Sequence, residues 1–189
     1  MIVERLPLPG PLLLRPTRHA DERGFLAETY RAPGSGPLAG LARVAQENLV
    51  FSHRAGTVRG LHAQAPPSAQ AKLVGVLAGR IRDVAVDVRR GSPTYGRHLA
   101  VDLSAAEGAL LFVPQGFLHG YATLTDETLV QYKLDAPYAP GREVAVRFDD
   151  PTLAIDWGLA PGACIVSEKD RQAGPFAGFD SPFAWREAA

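Results

Sequence analysis

The chain has 189 residues, 46% of them hydrophobic, which suits one domain with a sizeable core. Twenty Lys and Arg balance twenty Asp and Glu, so the chain as a whole offers no electrostatic footprint for nucleic acid or an anionic membrane. The single cysteine, Cys164, excludes an internal disulfide and a multi-cysteine metal site.

In chain order, Met1 to Gly10 does not read as a secretory signal, because its apolar run is short, broken by Pro7 and Pro9, and carries Glu4. No stretch approaches the roughly 20 apolar residues of a membrane span. A soluble, cytoplasmic protein with one domain over 1–189 is expected. Residues 11–18 and Phe25 to Arg31 read as short strands, and 32–37 reads as a loop from its Gly, Pro and Ser content. Val44 to Phe51 reads as a strand carrying Gln46 and Asn48 on one face. Lys72 to Leu77 is a near-continuous apolar run after a lysine, with a turn at Ala78-Gly79-Arg80. In Ile81 to Val88, Val84, Val86 and Val88 share one face, and Asp83, Ala85 and Asp87 the other. Leu99, Val101 and Leu103 alternate in the same way. Ser104 to Glu107 has capping-box spacing, which Gly108 limits to about one turn. Ala109 to Pro114, Thr128 to Leu134 and Glu143 to Phe148 read as further strands, and Leu159 onward as short helices or loops.

Sixteen prolines and nineteen glycines punctuate the chain, and no segment before the C-terminal region keeps a 3.6-residue apolar period. About ten short strands predict an all-β sandwich or barrel, and a jelly roll protects most strand edges.

The stretch from Thr57 to Gln64 breaks the strand rule. It holds Arg59, Gly60, His62 and Gln64 where a half-buried strand alternates apolar and polar residues and keeps glycine out. Regular alternation puts Arg59 and His62 on opposite faces, so service to one site requires a bulge at Gly60 or a neighbouring subunit. Pro114-Gln115-Gly116-Phe117-Leu118-His119 matches the P-x-G-x-x-H of a second cupin motif. Two histidines in one barrel suggest a metal, but the residue two after His62 is Gln64. No acid follows over 63–72, and the ammonium of Lys72 repels a divalent ion. The same inventory suits proton chemistry. His62 can act as a base at neutral pH, Tyr132 as an acid, and Lys72 as a charge beside a developing enolate. Asp170 or Asp83 can orient the histidine. Taken singly, Tyr132 is as well explained as a buried aromatic, Lys72 as a strand-edge lysine and Asp170 as a turn residue; together they form a set.

That set resembles the dTDP-4-dehydrorhamnose 3,5-epimerase family. The matching pieces are Asp21 to Glu28, Gln46-Glu47-Asn48, Gly56 to His62, Gln70 to Val74, Asp83 to Asp87, Arg89 to Thr94, Pro114 to Gly120, Tyr132-Lys133, Asp149 to Pro151 and Ser167 to Asp170, in family order. The resemblance implies a homodimeric cupin-type jelly roll that uses no metal and no cofactor, acting on a dTDP-linked 4-keto-6-deoxy sugar. It implies His62 as base with Asp170 as partner, Tyr132 on the opposite face of the sugar, and Lys72 near the C4 carbonyl oxygen. Arg23, Phe25, Glu28, Gln46, Asn48, Arg59 and His119 map onto substrate-contacting positions, and Tyr138 onto an aromatic that stacks on the base. Arginine suits a diphosphate. The segment around Arg23 and Glu28 is expected to reach the neighbouring subunit's site. Ala63 replaces a common aromatic and Gly75 a common arginine. On a regular strand placement both changes fall near the site and bear on which carbons are inverted. The competing readings are a mono-epimerase of C3 or C5, a metal-dependent cupin with His62 and His119 as ligands, and a non-catalytic sugar-binding cupin.

Overall fold

The computed structural model describes residues 1–31, 41, 43–160 and 162–186; the loop expected at 32–37 lies outside them. Two antiparallel sheets carry the fold. The first runs β1 (Ile2–Arg5), β2 (Leu12–Arg15), β11 (Leu110–Val113), β7 (Lys72–Ala78), β13 (Thr128–Leu134), β5 (Gln46–Ser52). The second runs β10 (His98–Ser104), β8 (Arg80–Asp87), β12 (Phe117–Thr123), β6 (Thr57–Gln64), β14 (Glu143–Ala145), and β15 (Ile165–Val166) adds to β6 in parallel. A hairpin of β3 (Arg18–Asp21) and β4 (Gly24–Ala27) stands apart, as does the pair β9 (Arg89–Arg90) and β16 (Phe183–Ala184). The only α-helix among the described residues is α1 (Glu168–Arg171), so none is long and apolar enough to cross a membrane. This is the cupin-type jelly-roll sandwich expected from the sequence.

The alternation along each strand sorts the core into layers. Leu13, Val74, Val76, Ala85, Leu99, Leu103, Leu111, Phe117, Tyr121 and Val130 meet between the sheets. Val84, Val86 and Val88 point the other way. They pack with Leu118, Ala122, Val146, Leu153 and Trp157 on the outer face of the second sheet. The Gly- and Pro-rich C-terminal region is therefore the cover of that sheet. A smaller cluster of Leu14, Leu73 and Phe112 lies on the outer face of the first sheet.

Several boundaries differ from the sequence reading. The strand expected over 11–18 stops at Arg15, because Pro16 brings no N–H to the ladder. The strand expected over 25–31 ends at Ala27, and that over 143–148 at Ala145. Within Met1 to Gly10, read only for signals, Ile2–Arg5 forms an edge strand against β2. β12 had no alternation to betray it. All seven of its residues are buried, since Phe117 and Tyr121 face the inner core while Leu118 and Ala122 face the C-terminal cover. The capping-box sequence makes a turn only: Glu107 N donates to Ser104 Oγ at 3.2 Å, and Gly108 leaves the helical region at φ +64°.

Candidate active site

The register between β6 and β12 shifts by one residue at Gly60. His62 lies opposite His119 and Arg59 opposite Tyr121, so Gly60 and Leu61 together face Gly120. This is a β-bulge of the kind the Arg59/His62 spacing requires. Only glycine fits it. The φ of Gly60 is +129°, and a Cβ there falls 2.6 Å from Gly120 Cα. The bulge turns Arg59 and His62 into the same cleft between the sheets, about 510 Å³ in volume, where Lys72, His119, Tyr121, Tyr132, Lys169 and Asp170 are among the other walls. An adjoining lobe of about 250 Å³ shares His62, Lys72 and Tyr132 and adds Gln46, Asn48, Gln70, Tyr138 and Glu143.

The bulge also presents an amide. Gly60 N donates to Asp170 Oδ2 at 3.2 Å, while Asp170 Oδ1 lies 2.7 Å from His62 Nε2. Asp170 is placed by the short helix α1, capped by Ser167, whose Oγ accepts from Asp170 N at 3.1 Å. Burial disfavours the Asp170 carboxylate. The hydrogen bonds and charge of His62, with the Gly60 amide, outweigh it and hold the group below the ordinary carboxylate range. A carboxylate only accepts, so in neutral His62 the proton sits on Nε2 and the lone pair on Nδ1.

His62 comes from the second sheet. Tyr132 on β13 and Lys72 on β7 come from the first. The sandwich therefore places the imidazole and the phenol on opposing walls of one cleft. Lys72 Nζ lies 3.4 Å from His119 Nδ1, and His119 Nε2 lies 2.8 Å from Asp83 Oδ1. Asp83, one of two candidate partners for His62, therefore serves His119. Burial pushes Lys72 down to about 8, opposed by the charges of Asp83 and Glu143. Burial also lowers His119. Both ring nitrogens of His119 are engaged, one by an acid and one by an ammonium, which leaves no lone pair for a metal ion. Gln64, which stands where a second motif histidine would, is a loop clamp. It donates to Ser68 O and to Pro137 O (3.0 Å) and accepts from Ala139 N at 2.8 Å. Gln46 does the same for the next residue over, accepting from Tyr138 N at 2.7 Å. Tyr121 was not foreseen. It lines the cleft, and burial pushes its phenol well above the ordinary tyrosine range.

The family model for dTDP-4-dehydrorhamnose 3,5-epimerase matches residues 5–178. The chain belongs to that family. A relative of that name from Sinorhizobium fredii is 41% identical over 90% of this chain and 87% of its own length. One from Mycobacterium tuberculosis is 41% identical over 93% of this chain and 88% of its own. The crystal structure of a dTDP-6-deoxy-D-glucose-3,5-epimerase from Legionella pneumophila in complex with dTDP-4-keto-L-rhamnose superposes with a TM-score of 0.89. It is 34% identical over 98% of this chain and 99% of that one.

Of the positions that the epimerase resemblance marks, His62, Lys72, Tyr132, Asp170, Arg59, His119, Gln46, Asn48 and Tyr138 converge on the two lobes. Arg23, Phe25 and Glu28 do not. They lie on or beside the β3–β4 hairpin, away from the cleft of their own chain. Arg23 pairs with Asp21 at 2.5 Å and Glu28 with Arg31 at 2.6 Å. Phe25 lines a separate outer groove with Leu73, Gly75 and Leu77. Of the two family departures, Gly75 needs correcting. Gly75 sits on the outer face of the first sheet, where a Cβ would meet Leu110 Cδ2 at 2.6 Å. It is in register neither with Lys72 nor with Val74, which point inward. Ala63 packs into the outer cluster of the second sheet and also lines the adjoining lobe beside His62. Gly75 thus lies away from the cleft, whereas Ala63 stays beside His62 as expected.

Proposed function

We propose that the protein inverts C3 and C5 of dTDP-4-dehydro-6-deoxy-D-glucose, giving dTDP-4-dehydro-L-rhamnose. The observation that carries this reading is the pairing of an Asp170-held imidazole on one sheet with a phenol on the other, across one cleft. Inversion at a carbon needs a base on one face and an acid on the opposite face, and the sandwich supplies both.

The C4 ketone acidifies the protons at C3 and C5. His62 Nδ1 takes one of them, and the electron pair passes to the C4 oxygen as an enolate. Asp170 stabilises the imidazolium that results. The Lys72 ammonium stabilises the enolate. Tyr132 then delivers its proton to the other face of the same carbon. His62 loses a proton to solvent and Tyr132 regains one, and the cycle repeats at the second carbon. Proton balance closes without a redox step, so neither a cofactor nor a metal ion is needed. Arg59 suits the diphosphate, and the exposed ring of Tyr138 suits the thymine.

The working unit is a homodimer in this reading. Leu49, Phe51 and Leu77 are 61%, 44% and 50% exposed on the outer face of the first sheet. A second copy there covers an apolar face that water would otherwise meet. It also gives Arg23, Phe25 and Glu28 a partner's cleft to serve.

Solvent exchange tests the reaction. The nucleotide sugar incubated in D2O with the chelator-dialysed protein is expected to gain deuterium at C3 and C5 and to yield the L-configured product by NMR. Deuterium at one carbon only would make the protein a mono-epimerase. Deuterium at neither would make it a binding protein. Activity lost on chelation and restored by Fe, Mn or Zn would contradict the metal-free mechanism.

A further inference from the structure

We propose that Asp83 and His119 form a positioning relay for Lys72, a second Asp–His pair that keeps the lysine charged and aimed into the cleft. The proposal rests on the epimerase reading for its purpose but not for its geometry. An ammonium can only donate, so the Nδ1 that meets Lys72 Nζ at 3.4 Å must carry the lone pair. The proton of neutral His119 is then on Nε2, donated to Asp83 Oδ1 at 2.8 Å. One tautomer satisfies both contacts, and the ring hands the carboxylate's charge on to the lysine.

The arrangement costs stability, which argues that it serves a purpose. Asp83 is fully buried, and its Oδ2 has no hydrogen-bond partner among the described residues. A carboxylate with an idle oxygen in a core is tolerated where its charge is needed. Lys72 is the group that needs it. Burial favours its neutral form, and Asp83 is the largest charge opposing that loss. The other titratable groups of the two lobes are Arg59 and His62 on β6, the latter backed by Asp170, Tyr121 on β12, Tyr132 on β13, Tyr138, Glu143 on β14 and Lys169 on α1. Glu143 is paired with Lys169. Asp135, at the adjacent strand end, is taken up by Ala71 N and Gln115. Asp83 is thus left to act on Lys72 through His119.

The chain holds only three lysines, Lys72, Lys133 and Lys169, so the titration can be read directly. Protein labelled with 13C at lysine Cε, without substrate, is titrated by NMR, and the Lys72 signal is assigned by its loss in Lys72→Met. One signal is expected to move with a midpoint near 8. Asp83→Asn keeps the shape and an acceptor for His119 but removes the charge, and should lower that midpoint by about one pH unit. His119→Phe, which keeps the ring but removes both the Nδ1 acceptor that meets Lys72 and the donor to Asp83, should shift it as well, and serves if Asp83→Asn folds poorly. A Lys72 midpoint unmoved in a folded variant overturns the relay. Because no turnover is measured, a wrong substrate leaves this result untouched. In the folded Asp83→Asn enzyme the alkaline limb of kcat should move with the Lys72 midpoint while KM stays within about twofold; a purely structural role would leave the limb in place.

Discussion

In the proposed mechanism His62 takes a proton at Nδ1, and Asp170, 2.7 Å from Nε2, holds the tautomer that leaves Nδ1 free. Asp170→Asn keeps the volume but not the tautomer preference, so kcat is expected to fall by roughly 10²- to 10⁴-fold in a steady-state assay, with the fold intact by circular dichroism. Lys72 adds a pH dependence whose sign is fixed by its low value. The ammonium is present below about 8 and lost above it. If it stabilises the enolate, kcat falls as pH rises through that value. Stability runs the other way. A cation whose folded value lies at about 8 rather than 10.5 works against folding wherever it is charged, by roughly 3 kcal/mol at neutral pH. That cost fades as pH rises from about 8 to 10.5. Lys72→Met should therefore raise the melting temperature at pH 7 while removing most activity. A lower melting temperature would show that the charge is better compensated than its surroundings indicate.

At the scale of elements, the bulge between β6 and β12 does two things. It turns Arg59 and His62 to one side, and it offers the Gly60 amide to Asp170. Gly60→Ala puts a Cβ 2.6 Å from Gly120 Cα and 2.9 Å from His119 O at a φ of +129°. A loss of at least about 2 kcal/mol in denaturant unfolding is expected, with activity falling as the strands separate. The need for this bulge was legible in the sequence, because Arg59 and His62 differ by an odd number of positions. Strand alternation was equally legible in β10 and β13, which have one face toward the inner core, and in β8, where the buried Asp83 and Asp87 alternate with Val84 and Val86 although both faces are covered. β12 was not, since it is covered on both faces and has no such alternation. The choice between Asp170 and Asp83 was also closed to the residues alone. Tertiary placement decides it: β12 sets His119 opposite Ala85, diagonal to Asp83 on β8 and in hydrogen-bond reach of it, and α1 brings Asp170 to His62.

At the scale of the whole molecule, one chain assembles the base, the phenol and the lysine but leaves Arg23, Phe25 and Glu28 outside. Only the family resemblance assigned the segment around Arg23 and Glu28 to the neighbouring subunit's site, because the residues themselves carry no information on which copy supplies a group. Likewise Gly75 was legible as a departure but not as an outer-face residue until β7 was in register with β11. Sedimentation should show a species of twice the chain's mass. Leu77→Glu, which sets a charge on the exposed apolar face, should halve it. In the dimer Arg23→Ala should weaken dTDP binding by about tenfold, as loss of one charge-assisted contact does. A monomeric wild type with full activity would contradict the shared site.

Base and acid on opposing walls are the centre of the mechanism, and variant proteins in D2O test them most directly. Wild type should wash deuterium into C3 and C5 with inversion. His62→Asn should wash in none, while Tyr132→Phe should keep exchange from the His62 face yet lose net inversion. Full exchange in His62→Asn, or normal inversion in Tyr132→Phe, would contradict the mechanism.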